Sequence, residues 1–333
     1  MSSAKALCAA SPMTAASNSG PVFLLTLHRG GGTVLARILN CHPKLVIWGE
    51  HVGLINRLAE IDDMVTRVGR LMYPKTDEAI AEYVAFPDHR LNDFDPWANP
   101  FDYEIFLRSC RQMIESIFAR GLQPGQRWGF KEIRYHRVLT TRFMEKLFPN
   151  ARFVILRRDL TEVAISAILA SWSLRWFPNY REMMPAEMAE AIVRDVTYAL
   201  LVVENSLDAV QQQLGARCLR LDYSQLLDSS LKFASPLFNF LEIDLPQEVV
   251  TRIERVLSVR AGGTDQQVCF GRILSREYIR ARVAAIVPEL RDEIARDGVD
   301  RARLVAREGI GRYSFLAGDH TMRDQNCEFS SLF

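Results

Sequence analysis

The sequence is poor in the features that mark membrane, metal-built or disulfide-stapled proteins. No apolar run in its 333 residues reaches the roughly 18 that a membrane helix needs, so no membrane span is expected. The first twenty residues are rich in Ala and Ser, carry one lysine, Lys5, and have no solid apolar centre, which argues against a secretory leader. The six cysteines (Cys8, Cys41, Cys110, Cys218, Cys269, Cys327) contain no CxxC pair. Scattered reduced thiols of a cytoplasmic protein are the expectation. The six histidines show no HExxH or similar spacing, so no metal site is expected. Neither sign of charge dominates: 41 Lys and Arg stand against 40 Asp and Glu, a net charge of +1. That argues against wholesale binding of nucleic acid but leaves room for one basic pocket. Lysine itself is scarce, six residues against 35 arginines. Arginine suits bidentate contacts to oxyanions, although genome composition produces the same bias. There is no internal repeat and no clean linker.

What remains is ordinary globular material, 48% hydrophobic and 24% charged. Pro21 leads into Val22–Leu25, a continuous apolar run suited to a strand buried on both faces of a parallel sheet. Glycines at 30, 31 and 32 follow, and Thr33–Leu39 reads as a helix start. Further strands are expected at Leu45–Trp48, Trp128–Lys131, Arg152–Leu156 and Arg217–Leu221. Helices are expected around Tyr103–Arg120, Leu139–Phe148, Thr161–Ala170 and from Pro185 to Leu214, with residues 57 to about 125 otherwise less regular. Five short strands alternating with helices predict an α/β fold, a parallel sheet flanked by helices on both faces, with additional helices beyond it. The expected organisation is a flexible tail over 1–19, one domain over 20–310 and a C-terminal extension over 311–333.

Two segments carry chemistry. Leu27-His28-Arg29-Gly30-Gly31-Gly32-Thr33-Val34 sits at a strand-to-helix junction, where backbone N–H groups and the helix dipole favour a phosphate or sulfate. It is not GxxxxGK[ST], because no lysine precedes Thr33, which disfavours an ordinary ATP or GTP hydrolase or kinase. Arg158 leaves the end of a strand and Ser166 lies eight positions on, upon the next helix. A ligand above the C-terminal edge of the sheet can touch both.

Together, Val22–Glu50, Pro149–Ser166 and Leu219–Leu226 resemble the sulfotransferases that use 3′-phosphoadenosine 5′-phosphosulfate (PAPS), with the motifs in that family's order. A weaker echo runs through Phe270-Gly271-Arg272 to Leu274–Glu277. The resemblance implies a P-loop nucleotide-kinase-like sheet, PAPS as donor, 3′,5′-adenosine bisphosphate (PAP) as product, and no metal. It implies that the loop Arg29, Gly30, Gly31, Gly32, Thr33, Val34 receives the 5′-phosphosulfate and that Arg158 and Ser166 hold the 3′-phosphate. Tyr223 would lie near the adenine, and Gly271 and Arg272 would close over the 3′-phosphate. Three departures stand out: Gly32 replaces a usual hydroxyl residue, His28 a common proline, and Leu160 the proline of an Arg-x-Pro element.

An acceptor hydroxyl needs a base. Glu50 ends the second expected strand, and its spacing from Arg29 is similar to that of the catalytic glutamate in tyrosylprotein-type sulfotransferases. His51 and His136 are rival bases, and Lys131 is a candidate for contact with the sulfuryl group. Trp172, Trp176, Phe177 and Tyr180 suit an apolar or sugar-binding pocket or simple packing. Residues 57–125 and 172–184 are the expected acceptor side, for a small-molecule, sugar or lipid hydroxyl. A nucleotide-binding protein on this fold without transferase activity is the first alternative reading, and an ATP-dependent P-loop kinase, which the missing loop lysine disfavours, is the second.

Overall fold

The computed structural model describes residues 20–68, 73–74, 98–99, 102–169, 186–228, 230–261 and 274–309, with isolated residues at 78, 81 and 84–85. In chain order, β1 (Val22–Thr26) is followed by α1 (Gly32–Leu39), β2 (Leu45–Trp48) and α2 (Leu54–Val68). Then come α3 (Tyr103–Phe118), β3 (Arg127–Glu132), α4 (Val138–Leu147), β4 (Arg152–Arg157), α5 (Leu160–Ile168) and α6 (Ala186–Leu214). The described chain continues through β5 (Cys218–Asp222), α7 (Tyr223–Asp228), α8 (Ser230–Phe240), α9 (Gln247–Ala261) and α10 (Arg276–Gly309). A two-residue parallel bridge joins Tyr73–Pro74 to Ala98–Asn99, apart from the main sheet.

The main sheet has the order β2-β3-β1-β4-β5, and every neighbouring pair is parallel. The continuous apolar runs of β1 and β4 have the cause expected of them, since both faces of these strands are covered. Phe23, Leu25, Phe153 and Ile155 enter one core with residues of α2 to α6 and α10. Val22, Leu24, Val154 and Leu156 enter a second core with residues of α1, α7, α8 and α9. Because β1 is central and the chain leaves it for neighbours on either side, a crevice opens at its C-terminal end, where open α/β sheets hold ligands.

The five expected strands are present, with no end shifted by more than one residue. Helix α2 is a correction, since the chain from residue 57 was expected to be less regular and Leu54–Val68 forms 15 residues of helix. Its apolar stripe is broken by buried Asn56 and Asp62. The partners of both come from distant chain: Thr140 donates to Asn56 at 2.7 Å, and Tyr103 and Lys146 donate to Asp62 at 2.6 and 2.7 Å.

Candidate active site

The glycine loop begins where β1 ends. Thr26 Oγ1 donates to the Leu156 carbonyl of β4 at 3.2 Å, and the Gly30 N–H donates to the Leu27 carbonyl at 2.9 Å, closing a turn. Gly31 has φ 95°, and a Cβ there would lie 2.4 Å from the Tyr223 ring. Both the backbone conformation and the packing therefore require glycine. Helix α1 then starts without a side-chain cap and without an acidic residue in its first turn. The first N–H donors of the helix have no intrahelical partner, and its positive dipole end favours an anion.

A cleft of about 390 Å³ opens on this helix start. Its lining includes Gly31, Gly32 and Thr33, the group Arg29, Arg158, Ser166 and Arg276, and the group His28, Glu50 and Lys131. Arg29 Nε donates to Ser166 Oγ at 3.1 Å, and Arg158 Nη1 donates to the Arg29 carbonyl at 3.1 Å. The Arg158 guanidinium also lies 4.9 Å from the centre of the Tyr223 ring, a cation–π distance. Burial lowers the pKa of Arg29, and neighbouring Arg158 adds to the effect. Burial likewise lowers that of Arg158, with Glu162 and Asp159 opposing and Arg276 reinforcing. Clustered cations that repel one another make a site in which an anion is stabilised.

The reactive-looking end holds an ion-pair chain. Lys131 Nζ donates to Glu50 Oε1, and Arg134 Nη1 donates to Glu50 Oε2 at 3.1 Å. Burial raises the Glu50 pKa, but Lys131 and Arg134 outweigh it, so the net shift is downward. Gly32 makes room for the lysine: a Cβ at 32 would lie 3.0 Å from Lys131 Cδ and 2.5 Å from Thr26 Cγ2. His28 is pushed down from 6.5 to about 4, chiefly by burial and then by Arg29, so its imidazole is neutral.

Of the residues singled out from sequence, Arg29, Gly31, Gly32, Thr33, Glu50, Lys131, Arg158 and Ser166 line this cleft. Gly30 is buried beneath the loop and Val34 is half-buried against the second core. Tyr223 is buried between Gly31 and Arg158. Arg29, expected to belong with the 5′ end, contacts Ser166, expected at the 3′ end, so residues assigned to different ends of the donor lie side by side. His51 is directed elsewhere: its Nε2 lies 2.5 Å from Tyr135 Oη, and Phe118 and Phe130 flank the ring. His136 is buried and is not among the cleft residues. Gly271, Arg272, Trp172, Trp176, Phe177 and Tyr180 lie outside the described residues.

Sequence reasoning missed His28 and Arg276 as cleft residues, and Glu162 beside Arg158. His28 was legible as a departure within the loop itself, and Arg276 lies four residues beyond Arg272. Nothing local marked Arg134 or Glu132, whose partners are brought by the fold.

A protein-family model described as the sulfotransferase family matches residues 21–247, more than half of the chain. No curated protein matches the chain. Among solved structures, the chain is similar to a sulfotransferase from Alicyclobacillus acidocaldarius at 16% identity, with 85% of this chain and 98% of that one covered and a TM-score of 0.43. It is also similar to a mouse sulfotransferase complexed with PAP, at 13% identity, 88% and 90% coverage and a TM-score of 0.45. A third is a retinol dehydratase in complex with retinol and PAP, at 17% identity, 82% and 81% coverage and a TM-score of 0.38.

Proposed function

The chain belongs to the sulfotransferase family, and from that membership we propose that it transfers the sulfuryl group of PAPS to a hydroxyl of a small-molecule, sugar or lipid acceptor, with Glu50 as base. What carries the reading is the meeting, in one cleft, of an uncapped helix start, the cations Arg29, Arg158 and Arg276 with Ser166, and the Lys131–Glu50 pair. A donor with an anion at each end fits a cleft that has cationic groups around a helix N-terminus, and the volume lies in the ordinary range for ligand pockets.

The chemistry divides between these groups. The acceptor oxygen forms a bond to sulfur as the bond from sulfur to the nucleotide's bridging oxygen breaks, and charge grows on that oxygen. The N–H groups of Gly32 and Thr33, with Arg29, stabilise this charge by position and electrostatics, as in phosphoryl transfer. The acceptor proton passes to Glu50, a carboxylate that is ionised at neutral pH and whose charged form Lys131 and Arg134 further favour. Protonation removes the charge that holds Lys131, so the ammonium is free to remain with the sulfuryl group. His28, neutral beside this pair, adds no competing cation.

The test is transfer from radiolabelled PAPS to a panel of hydroxyl acceptors. The wild type should label a product, and Glu50→Gln should lower turnover by about 10²–10⁴-fold with PAP affinity unchanged. PAP binding without transfer to any acceptor of the three classes would favour a nucleotide-binding protein instead.

A further inference from the structure

Three features around Glu50 are not explained by the transfer chemistry. The first is Glu132, the residue after Lys131, which is fully buried. Successive strand residues point to opposite faces, so Lys131 and Glu132 leave β3 on opposite sides. The second is the destination of the Glu132 carboxylate. Its Oε2 accepts the N–H groups of His51 at 3.0 Å and Gly53 at 3.2 Å. Its Oε1 accepts the N–H groups of Ile133 and Arg134 at 3.0 and 3.3 Å, and Arg134 Nη1 at 2.6 Å. The third is Val52, between the two clamped amides. It has φ 60°, a conformation that crowds a β-branched side chain, although it is 63% exposed and nothing is gained by burying it.

We propose that Glu132 is a positioning residue for the base: it clamps the strap His51–Gly53 in a strained form and, through Arg134, fixes the Glu50 carboxylate beside Lys131. The proposal rests on the reading of Glu50 as base. The same Nη1 of Arg134 reaches Glu132 and Glu50, so the orientation of a buried, fully bonded carboxylate is transmitted to one that is a third exposed. The backbone route is parallel, since Glu50 immediately precedes the clamped His51 amide. Strain at an exposed valine persists only where its surroundings over-determine it, and two hydrogen bonds to one carboxylate oxygen, flanking that residue, do so.

Glu132→Gln places an amide NH₂ among five donors and is expected to fold poorly, so two milder variants carry the test. Val52→Gly keeps every charge and relieves the strained φ. It should raise the melting temperature while lowering turnover by about 10–100-fold, because the strap loosens. Arg134→Gln cuts the side-chain route, and its crystal structure should show the Glu50 carboxylate turned from Lys131. Turnover is read as release of labelled sulfate from PAPS with water as the acceptor, which yields PAP, sulfate and two protons once the 5′-phosphate is fully ionised, and PAP affinity by calorimetry should stay at the wild-type value. A merely structural strap would give the rise in melting temperature at wild-type turnover, and would leave Glu50 in place in Arg134→Gln; either overturns the proposal. Glu50→Gln is the control. If it alone lowers turnover, the base reading stands and this proposal falls; if it has no effect, both fall. If hydrolysis is below detection in the wild type, the position of Glu50 in the two variant structures decides.

Discussion

Burial keeps the His28 imidazole neutral in a cleft already crowded with arginines, and this has a measurable cost in acid. Its pKa is lowered from 6.5 to about 4. Between those values the unfolded chain takes up a proton that native His28 refuses. Stability therefore falls as the pH falls through that window, by about 3 kcal/mol in all, and levels off below it. His42 and His51, also lowered chiefly by burial, act in the same direction. Urea unfolding at pH 7 and pH 4.5 should show a smaller loss in His28→Asn than in the wild type. An equal loss would mean that His28 is not held neutral. Gly32 offers a second test at this scale. The resemblance to relatives with a hydroxyl residue there invites Gly32→Thr as a repair. The structure predicts the reverse, because a Cβ would meet Thr26 and the Lys131 stem at 2.5 and 3.0 Å. We expect a loss of about 1–3 kcal/mol from overpacking, together with reduced turnover as Lys131 is displaced. Melting temperature and transfer rate check both; a variant more stable than wild type contradicts the packing.

At the scale of elements, the strands were legible because burial on both faces leaves a compact apolar signature, as in Val22–Leu25 and Arg152–Leu156. The glycine loop was legible for a related reason, since backbone approach and φ 95° at Gly31 leave little choice of residue. Helix α2 was not, because buried Asn56 and Asp62 interrupt its stripe and only the folded chain supplies their partners. The Glu50 environment was half legible. The carboxylate and Lys131 could be named from their strand ends, whereas Arg134 and Glu132 gain meaning only when β3 lies beside the strap after β2. His51 shows the converse: a histidine adjacent in sequence to the candidate base is directed into an aromatic pocket. Lys146→Met leaves the Asp62 carboxylate with only the Tyr103 hydroxyl of its two side-chain donors. Since Lys146 is partly exposed, a loss of about 1–2 kcal/mol is expected in denaturant unfolding. No change would show that solvent already satisfies Asp62.

Over the whole molecule, the two cores divide the helices between the faces of one sheet, and the cleft lies where both groups approach its C-terminal edge. Helix α1, covering one face, supplies the N–H donors; α5 and α10 on the other supply Ser166 and Arg276; and the loops after β1, β2 and β4 supply Arg29, Glu50 and Arg158. Six elements thus contribute to one cleft, and none of them would form it alone. Among the described residues no helix is long and apolar enough to cross a membrane. A ligand that joins these elements should stabilise the fold as a unit, by about 2.7 kcal/mol at 100 times its dissociation constant.

The proposed function requires a cleft that holds a nucleotide with anions at both its 3′ and 5′ ends. Calorimetric titration of the wild type and Arg158→Ala with PAP and with ATP tests it most directly. PAP should bind the wild type much more tightly than ATP does, and Arg158→Ala should weaken PAP by roughly tenfold or more, the worth of a charge-assisted contact, while changing ATP little. Equal affinities for PAP and ATP, or an Arg158→Ala variant that binds PAP as the wild type does, would contradict it.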